Sequence, residues 1–187
     1  ATPVRGPRLQ DLARPGMKVA VAVTDATRPC PDHSLLPPLV DELETAGVRR
    51  EDITLVVALG MHRHCTDDEL RDKLGPLGAA LAVEEAQGAE RDRYRDLGTL
   101  DTDDDGGALP APVPMLVHRR IVESDLVVAT GVVEPHQYAG FSGARKTVGI
   151  GCAGADTIGV LHGIHYLEHP GTRLGGLEGN PVHRAVE

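Results

Sequence analysis

Uninterrupted apolar runs alternate along the chain with segments of helical periodicity. Residues 17–24, 53–59 and 126–133 are nearly continuous runs of apolar and β-branched side chains, which is the pattern of strands buried on both faces. Between the first two runs, residues 33–46 place leucine and valine at helical spacing and are followed by Gly47. This alternation predicts an α/β fold with a mostly parallel sheet that is covered by helices on both faces.

The remaining segments give weaker signals. Asn180 followed by Pro181 predicts a helix start near the last residue, so we expect this chain to be part of a longer protein. The other predicted elements are, in chain order, a helix over 66–74 opened by the capping box of Thr66 and Glu69, a weak strand over 81–86, an exposed acidic loop over 101–107, an extended connection through Pro110, Pro112 and Pro114, a short helix over 119–124, and one or two helices within 146–164.

Composition narrows the class of protein. The 187 residues are enough for one sizeable domain, and the formal net charge is −9. Aromatic residues make up 2% and tryptophan is absent, so nucleic acid is not an expected partner. Three cysteines, Cys30, Cys65 and Cys152, show no pairing pattern, which favours a reducing compartment. With neither a signal peptide nor an apolar run of membrane-spanning length in the sequence, we expect a cytoplasmic location and no membrane partner.

Polar, chemically capable residues follow each of the three strong strands. They occupy residues 25–28, 60–64 and 134–136. Because parallel strands share one carboxyl edge, these clusters should converge there. Two imidazoles at such an edge, His62 and His136, suit acid and base work on opposite sides of a substrate.

Two clusters allow more than one interpretation. Asp25, Thr27 and Arg28 precede a predicted helix and could cradle an anion, or could equally be a helix cap with a surface arginine. They form neither a Walker loop nor a G-x-G-x-x-G motif. His62, His64 and Cys65 match no standard zinc spacing.

Lys146 stands in a loop of small residues. Gly140, Ser142, Gly143 and Ala144 precede it, and His162 follows beyond a segment that is predicted to be helical. A lysine is most often a surface residue, but next to a phosphate cradle this one is better interpreted as a nucleophile or a covalent anchor.

Together these motifs resemble the nickel-dependent lactate racemase family, whose members use a nickel-pincer nucleotide. The matching segments are, in the family's order, 25–29, 59–63 with Thr66, Glu69 and Leu70, 134–136 with 139–143, Arg145 with Lys146, and Thr157 and Ile158 with His162. The resemblance implies that residues 1–187 form a single Rossmann-like, N-terminal cofactor-binding and catalytic domain. It also implies that the family's C-terminal domain is absent from this chain.

The resemblance further implies that the protein racemises or epimerises a 2-hydroxy acid by hydride transfer to and from the cofactor. One histidine would remove the hydroxyl proton and the other would supply a proton on the opposite face. The cofactor would be pyridinium-3-thioamide-5-thiocarboxylic acid mononucleotide nickel. The implied roles are catalysis by His62 and His136, nickel binding by His162, covalent attachment at Lys146, and further cofactor binding by Asp25, Thr27, Arg28, Ser142 and Gly143.

The implied partners are a 2-hydroxy acid substrate, the absent C-terminal domain and the proteins that mature the cofactor. Since that domain supplies the family's carboxylate clamp, we expect residues 1–187 alone to be poorly active. Ala144 and Ile150 depart from the family, which usually has Gly and Pro there. Two alternatives remain open on the residues alone: a non-catalytic nucleotide- or phosphate-binding module of the same fold, and a metal hydrolase with its histidines on zinc.

Overall fold

The structure, a computed structural model, describes residues 3–187. Its helices and strands are, in chain order, α1 (Leu9–Leu12), β1 (Val19–Thr24), α2 (Asp32–Thr45), β2 (Ile53–Gly60), α3 (Asp67–Leu74), α4 (Leu77–Ala80), β3 (Ala82–Gln87), β4 (Tyr94–Thr102), β5 (Ala108–His118), α5 (Arg119–Val122), β6 (Leu126–Ala129), β7 (Pro135–His136), β8 (Gly140–Phe141), α6 (Ala144–Gly149), α7 (Ala155–Leu161), α8 (Ile164–Leu167) and α9 (Pro181–Val186).

A parallel sheet of four strands, in the order β3-β2-β1-β6, is the centre of the fold. Along β1, Val21 and Val23 pack on one face with leucines of α2, α3 and α4, while Ala20 and Ala22 pack on the other with Ile121 of α5. Large and small side chains alternate along β1, so the valines fill the first face while the small alanines let chain segments approach the second face closely. The α/β, Rossmann-like class with helices on both faces is therefore confirmed.

The third predicted strand is shorter than its apolar run. Strand β6 ends at Ala129, whereas the apolar run continues to Val133. The chain leaves the sheet at Gly131, where an added Cβ would lie 3.0 Å from the Cα of Gly143. This close approach brings the segment against the start of α6, which positions residues 132–136 over the sheet edge.

The acidic loop and the proline-rich connection belong to an antiparallel hairpin of β4 and β5, which the sequence pattern did not predict. Prolines normally disfavour strands because they lack an amide donor. In β5 they occupy every second position, and Leu116 of the same parity uses its amide and carbonyl for Thr157 and Gly154 rather than for β4. Pro114, which pairs with Thr99 and has the same parity, therefore needs no amide for the β4–β5 ladder, and Pro110 and Pro112 fall where the register between the two strands shifts.

Within the described residues, no helix has the length and apolar character needed to cross a membrane. The three cysteines are free thiols, two of them buried.

Candidate active site

A cavity of about 400 Å³ opens beyond the carboxyl ends of β1, β2 and β6. The clusters that follow the three strands therefore meet at one sheet edge, as the parallel topology predicts. The candidate residues that line the cavity are Asp25, Arg28, His62, His136, Ser142, Gly143, Lys146 and His162. Thr27 lies beside this group and does not line the cavity.

Asp25 is a buried carboxylate that faces His62. Its Oδ1 accepts hydrogen bonds from the backbone N and Oγ1 of Thr27, at 2.7 and 2.5 Å, and its Oδ2 lies 2.9 Å from Nδ1 of His62. Burial raises the pKa of Asp25, but the hydrogen bonds from Thr27 and His62 outweigh it, so the pKa lies below its ordinary value. The ionised carboxylate makes Nδ1–H of His62 the donor, which leaves the Nε2 lone pair of the neutral ring free.

His136 is held in the opposite way. Its Nδ1 accepts hydrogen bonds from the backbone amides of Tyr138 and Ala139, at 3.1 and 3.2 Å, so the neutral ring carries its hydrogen on Nε2. Burial, together with nearby positive charge led by Lys146, lowers the pKa of His136 to about 4. The two histidines thus differ in the state in which the protein holds them: His62 offers a lone pair and His136 an N–H.

Lys146 lies in the first turns of α6, behind a glycine whose backbone no other residue adopts easily. Gly143 has φ of +110°, and an added Cβ would lie 3.0 Å from Cγ2 of Val133. Burial lowers the pKa of Lys146, and the charge of Arg28 lowers it further. Among the described residues, no carboxylate forms an ion pair with it. A desolvated amine with a lowered pKa is more nucleophilic at a given pH than an exposed lysine.

Ser142 shapes the wall beside Lys146. Its Oγ donates to the carbonyl of Val132 at 2.6 Å and accepts from the amide of Glu134 at 3.0 Å. These bonds fix the segment that leads from β6 to His136. Ser142 is therefore positioned at the cavity, with its hydroxyl already engaged by the backbone.

His162 caps the C-terminal end of α7 and lines the cavity. Its Nδ1 lies 2.9 Å from the carbonyl of Ile158, so Nδ1–H donates and Nε2 keeps its lone pair. The ring of Tyr138 meets the rings of His136 and His162 edge-on, at centroid distances of 5.8 and 5.7 Å. Tyr138 is a cavity residue that the sequence did not single out, although it is one of only three tyrosines and follows His136 closely.

A zinc site of protein ligands has no support in the described part of the chain, where no three histidine, cysteine or acidic side chains are placed so that they could hold a metal ion. His64 is bound to two carboxylates instead, with Nδ1 2.6 Å from Glu85 and Nε2 3.0 Å from Glu90. A metal at His162 would need most of its ligands from a bound group, which suits a soft, cofactor-supplied donor set.

Comparison with known proteins gives a consistent family. A family model described as "Lactate racemase N-terminal domain" matches residues 1–175. Lactate racemase of Thermoanaerobacterium thermosaccharolyticum is 34% identical over 182 residues, covering 97% of this chain and 41% of that protein. Lactate racemase of Lactiplantibacillus plantarum is 31% identical over 186 residues, with the same coverage of 97% and 41%.

Solved structures agree in fold. The lactate racemase apoprotein from Thermoanaerobacterium thermosaccharolyticum superposes with a TM-score of 0.84 at 33% identity, covering 98% of this chain and 42% of that one. A protein from Thermotoga maritima superposes with a TM-score of 0.75 at 24% identity over 95% of this chain and 43% of that one, which shows the shared fold. The chain spans 41% of the length of the curated relatives that it matches.

Proposed function

The chain belongs to the family of lactate racemase N-terminal domains, and from this premise we propose that residues 1–187 are the cofactor-binding and catalytic part of a 2-hydroxy acid racemase or epimerase. The observation that supports this most directly is the pair of histidines in one cavity, His62 with a free lone pair and His136 with an N–H. Inversion at one carbon needs a proton acceptor and a proton donor on opposite faces of the substrate.

The residues present fit a nickel-pincer nucleotide. The buried amine of Lys146 would hold the nucleotide covalently, Nε2 of His162 would bind the nickel, and Arg28 would bind the phosphate. The chemistry that such a group supplies when bound is the reversible acceptance of a hydride from carbon. Ser142 and Gly143 would form the wall along which it lies.

Asp25 and Thr27 belong to the same proposal in a less direct way. Thr27 donates both its amide and its hydroxyl to Asp25, and a carboxylate repels a phosphate. Their part in cofactor binding is therefore to hold the loop that presents Arg28, while Asp25 also orients His62.

The proton steps follow from the two ring states. Nε2 of His62 takes the proton of the substrate 2-hydroxyl, and the resulting imidazolium stays paired with Asp25 through Nδ1–H. On the other face His136, when it is protonated on both ring nitrogens, delivers its Nε2 proton to the carbonyl oxygen formed and returns to the neutral ring. Protonated His136 carries hydrogens on both ring nitrogens, so the amides of Tyr138 and Ala139 must release Nδ1 whenever His136 holds that extra proton.

The test is a chiral racemisation assay on the full-length protein, produced together with cofactor-maturation proteins, over a panel of 2-hydroxy acids and sugar acids. We expect interconversion of the two enantiomers or epimers, with peptide mass spectrometry placing an adduct on Lys146. Lys146→Ala should lose both, and Lys18→Ala is the matched control. Turnover by protein with unmodified Lys146 would contradict the proposal.

A further inference from the structure

Behind the cavity wall lies a buried ion pair that neither histidine touches. Nζ of Lys73, on α3, is 3.0 Å from Oδ2 of Asp32, at the start of α2, and their side chains are 7% and 0% exposed. The structure buries both, so their charges must be accounted for by specific partners.

The other hydrogen bonds of Lys73 go to the loop of residues 28–31. Its ammonium donates to the carbonyl of Arg28 at 2.8 Å and to the carbonyl of Cys30 at 3.0 Å. The loop also contains two prolines, Pro29 and Pro31, which supply no amide donors of their own. Lys73 therefore holds the backbone that carries Arg28, and it does so from outside the cavity.

Asp32 extends the contact to the other half of the site. Its Oδ2 accepts from Oγ1 of Thr24 at 3.1 Å, and its Oδ1 accepts from Oγ1 of Thr130 at 2.5 Å. The carbonyl of Thr130 in turn accepts from Oγ1 of Thr147 at 3.0 Å. Thr147 follows Lys146 directly, so a continuous chain of buried hydrogen bonds joins the Arg28 loop to the helix that bears Lys146.

We propose that Lys73 and Asp32 are positioning residues for a phosphate-bearing pyridine mononucleotide. They set Arg28, which would bind the phosphate, at a fixed distance from Lys146, which would bind the ring. This inference rests on the proposed function for the identity of the ligand, whereas the loop geometry that it invokes stands independently. Neither Lys73 nor Asp32 lines the cavity, so they would act through the carbonyl of Arg28 and through Thr130.

The experiment compares wild-type protein with Lys73→Met and with the double variant Lys73→Met/Asp32→Asn, which leaves no unpaired buried charge. Leu43→Ala, in α2 and away from the loop, is the control of matched destabilisation. Hydrogen exchange is measured over residues 24–32 and over β2. Calorimetry measures the binding of nicotinic acid mononucleotide to the unmatured full-length protein, with and without Arg28→Ala.

We expect faster exchange over residues 24–32 in both Lys73 variants with β2 unchanged, and an affinity more than tenfold weaker than in the wild type. In the Arg28→Ala background the Lys73 substitution should cost little more, because Lys73 acts through Arg28. Three results would overturn the proposal. They are equally fast exchange over residues 24–32 in Leu43→Ala, unchanged exchange there in the Lys73 variants, and a loss of affinity that is fully additive with that of Arg28→Ala. If wild-type protein bound no mononucleotide, the proposed cofactor would fail, and the exchange data alone would decide the role of Lys73.

Discussion

Nδ1 of His62 lies 2.9 Å from Oδ2 of Asp25, across the boundary between an open cavity and the protein interior. The side chain of His62 is 42% exposed, whereas that of Asp25 is 5% exposed. A buried anion thus fixes the ring orientation of an accessible base. The pairing joins the end of β1 to the end of β2 at the point where the two strands leave the sheet.

Asp25→Asn should impair turnover far more than folding. The amide keeps the shape but no longer stabilises the imidazolium of His62, so we expect kcat to fall about 100-fold or more. The measurement is steady-state racemisation by matured protein, next to thermal unfolding. Asp68→Asn, at an exposed acid on α3 that pairs with Arg71, is the control. General acid–base catalysis contributes about 100-fold or more, so a rate within about twofold of the wild type would contradict the role of Asp25.

Stability should depend on pH through His136. Its folded pKa is about 4 against an ordinary value of 6.5. Between these values the unfolded chain binds a proton that the folded protein does not, so the His136 contribution to the free energy of unfolding falls as pH is lowered from about 6.5 to about 4. Urea titrations of the unmatured protein across this window should show a shallower pH dependence in His136→Asn.

The control for that experiment is the same substitution at an exposed histidine, His33→Asn. A second readout is ¹⁵N chemical shifts at pH 7, which should identify His136 as the Nε2–H tautomer and His62 as the Nδ1–H tautomer. The same tautomer in both rings would refute the asymmetric arrangement described above.

Lys146 should react with amine reagents at lower pH than Lys18, because burial and Arg28 both lower its pKa. Competitive acylation followed by peptide mass spectrometry across pH 7–11 measures the order of the two lysines. Arg28→Gln removes the neighbouring charge and should shift the Lys146 profile to higher pH while leaving Lys18 unchanged. A Lys146 profile that coincides with that of Lys18 would exclude an activated amine.

Nickel should depend on His162 alone among the cavity histidines. His162→Ala should lower both the nickel content of matured protein and its turnover, because Nε2 is the free nitrogen at the end of α7. His62→Ala and His136→Ala should abolish turnover with nickel retained. Elemental analysis after gel filtration gives the metal content, and equal nickel loss in all three variants would point to a different metal site.

Local patterns were enough to predict the sheet and the edge of it at which the cavity opens. The apolar run over 53–59 matches β2 almost residue for residue. A strand that is buried on both faces can be recognised from its own continuous apolar sequence. The convergence of His62 and His136 followed from parallel topology. The hairpin of β4 and β5 was missed because the exposed side chains of β4 show no apolar alternation and β5 contains prolines.

Contacts between distant residues could not be predicted. On an amphipathic helix the sequence context of Lys73 is that of a surface residue, and only the folded chain shows that it reaches the carbonyl of Arg28. The opposite tautomers of His62 and His136 depend on a carboxylate in one case and on two backbone amides in the other. No property of a histidine in a sequence distinguishes these environments.

The central position of β1 has a consequence for the order in which the protein folds. Val19 pairs with Ile53 on one side and with Leu126 on the other, so the second pairing closes a much longer loop than the first. Closing a longer loop costs more chain entropy and slows the contact. The half of the cavity with Asp25 and His62 should therefore form before the half with His136, Lys146 and His162. A nascent chain would display the base and its carboxylate well before it could hold a nucleotide.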